Sequence, residues 1–223
     1  MLLAAAMPIK RALMSVNVVL LLMFWVVASA QDVPVIDLTT VHIQKLKREP
    51  TQGMLVGGVA GGNPSWPLQV RLISAREDRD VHPPALVYEF ELKNTGKAAI
   101  DLPVDPSPRD VEPADAAIKR YQYVHANITF QFGKESAGLK AESLQLYGNP
   151  SATGTSRRLA PGSAVRIRAK SDLMGSSLET GGVPLTMNAS LTLFRSVVKG
   201  NTLEERQIMG PVESSNSVEV VVR

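Results

Sequence analysis

Three histidines, His42, His82 and His125, are the only imidazoles in the chain, and cysteine is absent. A serine or metal hydrolase needs partners for a histidine at working spacing. No Gly-x-Ser-x-Gly elbow, Ser-x-x-Lys or His-Glu-x-x-His supplies them, so no catalytic and no metal-ligating residue is expected. Each histidine reads as a solvated or edge residue, with His82 in a loop before Pro83. The missing cysteines remove thiolate chemistry, disulfides, Cys-based zinc sites and a lipidated cysteine anchor.

Carboxylates offer two further chances for chemistry. Asp101, Asp105, Asp110, Glu112 and Asp115 supply hard oxygen ligands for Ca²⁺, the one cofactor with any candidate site. They lack the Asp-x-Asp-x-Asp-Gly spacing, so a solvated loop is the expectation and Ca²⁺ the alternative. Glu89 and Glu91 could be imagined as an acid/base pair. On an exposed strand face they would lack the desolvation that raises a catalytic carboxyl pKa.

Recognition chemistry is the remaining class. Trp66, Tyr121, Tyr123 and Tyr147 could form an aromatic platform for a glycan or a peptide, although core and rim positions are the plainer reading. Trp66, Tyr121 and Tyr123 are therefore the candidate ligand contacts. The basic stripe Arg166, Arg168 and Lys170 reads as a solvated face. Glycines 53, 57, 58, 61 and 62 could cradle phosphate, but Asn63-Pro64 follows where a phosphate loop would have Gly-Lys-Ser/Thr, so a linker or wide hairpin is expected. Asn127-Ile128-Thr129 and Asn188-Ala189-Ser190 match the glycosylation sequon, which matters only in a host with that pathway.

The elements that would position these residues are strands. Leu86, Tyr88, Phe90 and Leu92 alternate with Val87, Glu89, Glu91 and Lys93, a two-residue period that ends in the turn Asn94-Thr95-Gly96. Tyr121–Phe132 places Val124, Ala126, Ile128, Phe130 and Phe132 on one face and Tyr123, His125, Asn127, Thr129 and Gln131 on the other. Further strands are expected at Leu68–Ile73, Ala98–Val104, Ser143–Tyr147, Ser163–Lys170, Leu185–Leu193, Arg206–Met209 and Val218–Val222. Charged Arg76–Asp80 and polar Ser151–Arg158 read as turn and loop. Pro106, Pro108 and Pro113 make Asp105–Ala117 a loop, with one helical turn allowed at Pro113–Lys119. Short strands at roughly ten-residue spacing indicate an all-β antiparallel sandwich or barrel.

Met1–Ala30 reads as a signal peptide: Lys10 and Arg11 precede the apolar run Val18–Ala28, and Ala28-Ser29-Ala30 fits a cleavage site. An uncleaved membrane anchor is the alternative. The 24 Lys and Arg include those two, so the remainder balances its 21 acids to within one charge and gives no reason to expect nucleic acid as a partner. Residues 31–64 read as an N-terminal extension or linker, with short strands at Val33–Leu38 and Val41–Leu46. Residues 65–223 read as the domain proper.

Two places, Val87–Gly96 and the turn and strand Leu159–Lys170, together with the tail Val212–Asn216, resemble immunoglobulin-like modules of secreted bacterial proteins. The resemblance implies a β-sandwich of about 7–9 strands with insertions around Asp105–Lys119 and Lys134–Arg158. It also implies that the two quoted strands pair antiparallel, with Glu89 and Glu91 facing Arg166, Arg168 and Lys170. The expected function is that of an exported, non-catalytic binding module in the periplasm or extracellular space, with an envelope or extracellular protein or glycan as partner. A carbohydrate-binding module and a secreted proteinase inhibitor on the same sandwich are the alternatives.

Overall fold

A computed structural model describes residues 33–40, 52–55, 66–80, 85–106, 111, 113, 115, 117–134, 137–149, 154–170 and 183–221. The leader, Val41–Leu46, glycines 57–62, His42, His82, Asp110 and Glu112 lie outside them. The chain divides into two units, Met1–Val33 and Pro34–Arg223, and every described strand belongs to the second.

Alternation of apolar residues becomes strand throughout, and no helix occurs among the described residues. The described residues form twelve strands: β1 (Val35–Asp37), β2 (Gln52–Leu55), β3 (Leu68–Asp78), β4 (Ala85–Asn94), β5 (Ile100–Pro103), β6 (Arg120–Lys134), β7 (Ala137–Gly148), β8 (Ser156–Leu159), β9 (Ala164–Lys170), β10 (Leu185–Lys199), β11 (Thr202–Glu213) and β12 (Val218–Val220). The first sheet runs β1-β9-β4-β3, the second β2-β11-β10-β6-β7 with β12 beside β10, and β5 pairs with β8. Most pairs are antiparallel, but β1–β9 and β2–β11 are parallel, so the sheets are mixed. Both parallel strands come from the stretch read as an N-terminal extension.

The inward faces of the two sheets share one core. Leu72, Tyr88, Phe90, Leu92 and Ile167 of the first sheet and Ile128, Phe130, Phe132, Met187 and Leu191 of the second are essentially inaccessible to water. Burying each such side chain contributes about 1.5–3 kcal/mol. Phe130 reaches across to the first sheet, with ring centroids 4.2 Å from Tyr88 and 5.6 Å from Phe90. The turn after β4 is tied down by fully buried Asn94, whose Nδ2 donates to the carbonyls of Ala98 (2.7 Å) and Leu159 (3.0 Å) while Oδ1 accepts from Gly96 N–H (2.9 Å). Gly96 is there for close approach: a Cβ would lie 2.4 Å from Pro67 Cβ.

Three differences from the sequence reading have physical causes. Among the described residues of 65–223 there are ten strands, β3–β12, where 7–9 were expected, because part of the stretch read as loop, Ser156–Leu159, pairs as well. Lys134–Arg158 is largely strand, since β7 completes a long hairpin with β6 and β8 pairs with β5. Its alternation is masked because Lys140 and Glu142 occupy the register positions opposite core-facing Phe132 and Phe130. The charged Arg76–Asp78 belongs to β3, where a bulge at Ile73 shifts the register and sets Asp78 near Lys170, 3.1 Å away.

Candidate functional site

The two sheets present opposite kinds of outer face. On the first, the expected pairing is observed: Glu89 lies opposite Arg168 and Glu91 opposite Arg166. Arg168 Nη2 is 3.0 Å from Glu89 Oε2, Arg166 Nε 3.4 Å from Glu91 Oε2, and Arg168 Nη1 3.6 Å from Asp37 Oδ2. Hydrogen bonds from Thr39 and from Lys170 hold the carboxyls of Asp37 and Asp78 below their usual range, and the Glu89 carboxylate raises Arg168. These charges answer one another.

The outer face of the second sheet follows from register. Residues across β7, β6, β10 and β11 form rows: Tyr123, Ser196, Glu205; then Tyr147, His125, Phe194, Gln207; then Gln145, Asn127, Thr192; then Ser143, Thr129, Ser190, Glu213; then Gln131 and Asn188. The first two rows are the more buried. Val111, from the loop between β5 and β6, packs with Tyr123 and Val198, against which Tyr121, Tyr147 and Leu203 also lie. At the two ends of that loop, Asp105 exchanges backbone hydrogen bonds with Tyr147 (3.1 and 2.6 Å), and Lys119 O accepts from Gly200 N–H (2.6 Å).

Beside Tyr123 lies a small polar cluster. Ser196, fully buried, donates to Glu205 Oε1 (3.3 Å), and its Oγ is 3.2 Å from His125 Nδ1. Burial lowers the His125 pKa to about 4, so the ring is neutral at pH 7, and Nε2 lies 3.7 Å from Glu205 Oε1, beyond hydrogen-bond range. Burial also raises Tyr123 and Tyr147, whose phenols remain protonated. The trio resembles a nucleophile and base by composition only. Ser196 is sealed from solvent, and the amides around it are engaged in strand pairing rather than aimed at a reacting oxygen.

Below the cluster the rows carry amides and hydroxyls. Gln131, Ser143, Gln145 and Asn188 are exposed, while Asn127, Thr129, Ser190 and Thr192 are half-buried. The side-chain oxygen of Asn127 is buried without a hydrogen-bond partner. Phe194 stacks on His125 with centroids 5.0 Å apart and an 18° interplanar angle, and Tyr147 lies 6.0 Å from His125 on the other side. The rings form a ridge along one end of this neutral field.

Of the sequence-derived candidates, Tyr121 and Tyr123 are brought together, stacked at 6.2 Å, with Tyr123 buried. Trp66 is half-buried just ahead of β3, in the other sheet. In the acidic loop, exposed Asp101 lies 3.8 Å from Arg158, and Asp115 Oδ1 accepts from Ala117 N–H at 2.8 Å. No group of three or more His, Asp or Glu that could hold a metal occurs among the described residues. Sequence reasoning missed Ser196, Glu205, Phe194, Gln145 and Thr192. Alternation placed His125, Asn127, Thr129 and Gln131 on one face, but nothing in the sequence said which strands would flank them.

No family model and no curated protein matches the chain. Among solved structures it is similar to the crystal structure of Spo0M, a sporulation control protein from Bacillus subtilis, at 12% identity and a TM-score of 0.28 over 70% of this chain and 48% of that one. The match spans about half the length of that chain, and at that score it bears on neither fold nor function.

Proposed function

We propose that this chain is an exported, non-catalytic module, an immunoglobulin-like sandwich that binds another component of the cell envelope or extracellular space. One observation carries the reading: on its outer face the second sheet presents the exposed amides and hydroxyls of Gln131, Ser143, Gln145 and Asn188 on β7, β6 and β10, with no charged side chain among them. Edges are the usual competitor for such binding, and here they are blunted. Strands β1 and β2 are short, and β7 carries Lys140 and Glu142. The start of β3 is covered by Asn216, whose amide donates to Leu72 O (2.9 Å) and accepts from Leu72 N–H (2.8 Å). Export rests on the leader Met1–Ala30.

Co-sedimentation of the purified protein with isolated envelope fragments tests the reading. Wild type is expected to sediment above background. Gln131→Glu with Asn188→Glu, two exposed neighbours on the second sheet, is expected to lose at least tenfold, whereas Lys93→Glu on the first sheet keeps wild-type binding. Equal loss in both variants, or no wild-type binding, rejects the reading.

A further inference from the structure

We infer that the inward face of the second sheet, where it runs on past the core, binds a linear anionic polysaccharide, with Arg195 and Arg206 gripping one acidic group and Arg120 a second. The site lies on the opposite side of the sheet from the exposed amides and hydroxyls. It goes beyond the envelope binding proposed above and does not depend on it.

Alternation fixes the positions. Met187, Ala189, Leu191 and Leu193 face inward from β10 and are buried, whereas Arg195, the next inward residue, is exposed, so the cover over this face ends beyond Leu193. Register extends the uncovered face across three strands: Val124, Arg195 and Arg206 in one row, then Gln122, Val197 and Glu204, then Arg120, Lys199 and Thr202. Four cations stand there against one acid, and that acid, Glu204, is taken by Lys199 at 2.6 Å. Arg195 and Arg206 lie directly opposite each other, and no described acid pairs with either of them or with exposed Arg120.

Like charges directly opposite on neighbouring strands cost stability. On the first sheet the register avoids that cost by setting Glu89 against Arg168 and Glu91 against Arg166. Between Arg195 and Arg206 a bound anion would remove it, since guanidinium groups take the oxygens of a carboxylate, sulfate or phosphate in pairs. Exposed ion pairs are individually weak, so a free ion would be held poorly, and a chain that repeats its charge is favoured. Arg120 lies four residues along β6 from the Arg195 row, about 13 Å, so one chain can meet both points. The three rows contain no ring on which a base could stack, which speaks against a nucleic acid strand. The layer that covers the core, packed about 10 Å away, stops beside the patch, and the step admits a chain but holds off a flat bilayer.

Affinity electrophoresis of the whole protein in dilute buffer tests the inference, with polygalacturonate and alginate as anionic probes and dextran as the uncharged one. At least one anionic polymer is expected to shift the wild type and dextran is not, and about 0.5 M salt abolishes the shift. Arg195→Gln with Arg206→Gln is expected to weaken binding at least tenfold and Arg120→Gln about threefold. Arg71→Gln with Lys93→Gln, which removes the same charge from exposed positions of the first sheet, keeps wild-type binding. The Arg195, Arg206 double variant also keeps or exceeds the wild-type melting temperature, because a like-charge opposition has gone, so lost binding is not lost folding. No shift with either anionic polymer, an equal shift with dextran, or equal loss in the first-sheet variant overturns the inference. Tighter binding to polythymidylate or to phosphatidylglycerol vesicles overturns the polysaccharide assignment. Each of these results leaves envelope sedimentation, and the reading it tests, untouched.

Discussion

The two outer faces of this protein solve the same problem differently. On the first sheet, Glu89 and Glu91 are each only 13% exposed at the side chain and lie among Arg166, Arg168, Asp37, Asp78 and Lys170 in mutual ion pairs. On the second, the corresponding positions of β6, β7 and β10 carry rings, amides and hydroxyls, and the acids beside them on β11, Glu205 and Glu213, lie opposite Ser196 and Ser190. A lattice of ion pairs fixes register and is satisfied by its own members. The neutral face is satisfied less completely: the Tyr147 hydroxyl donates to Gln145 Oε1 at 2.5 Å, while the Asn127 oxygen is buried without a partner.

Acid should separate the faces most strongly. His125 has its folded pKa depressed to about 4 from 6.5 by burial, with Tyr123, Tyr147, Ser196 and Glu205 around it. As pH falls through 6.5 the unfolded chain takes up a proton that the folded chain refuses, so stability declines until about pH 4, by at most about 3 kcal/mol. A charged His125 beside Glu205 would recover part of that. The first face behaves oppositely in window: Asp37 and Asp78 have lowered pKa values, so their contribution is present above the ordinary carboxylate value of 3.8 and is lost only below it. Urea denaturation between pH 7 and pH 4 is expected to show the decline in wild type and a flat profile in His125→Phe, whose ring can occupy the same stack. An unchanged slope in that variant would relocate the acid sensitivity elsewhere.

Salt gives the second contrast. Glu89→Ala removes the partner of both Arg168 (3.0 Å) and Arg166 (4.0 Å) and is expected to cost about 1 kcal/mol in dilute buffer, because the arginine heads are substantially exposed. In 1 M salt, where the screening length is about 3 Å, most of the difference should vanish. Ser196→Ala on the second face removes hydrogen bonds rather than screened charges, and its cost is expected to be the same at both salt concentrations. A salt-independent Glu89→Ala would mean that its packing matters more than its charge.

How much of this was legible depends on the distance over which each property is decided. The strand β4 and its closing turn were readable because alternation and Asn94-Thr95-Gly96 are local. The pairing of Glu89 with Arg168 was readable through a resemblance that supplied the register. The strand role of Arg76–Asp78 was not, since a bulge at Ile73 shifts the register and ion pairing substitutes for apolar alternation. On the second face, β6 declared its own polar side, including His125 and Asn127. The cluster with Ser196 and Glu205 required knowing that β10 and β11 lie beside it in one register, and two of the three residues come from a hairpin whose length the sequence understated.

The smallest effect is the sharpest test of the contrast, because it reverses sign. On the first face every interaction is satisfied, so truncation costs stability. On the second, Asn127 keeps its oxygen in a dry position without a partner while Gln145 and Thr192 flank it across the ladder. Replacing such a group by an apolar one of similar breadth removes an unpaid desolvation cost of the order of 1 kcal/mol and adds a β-branched residue suited to a strand. Asn127→Val should therefore raise the melting temperature by a few degrees, read by thermal unfolding at pH 7. A destabilised variant would show that Asn127 contributes to holding the sheet, and the neutral face would then be as self-satisfied as the ionic one.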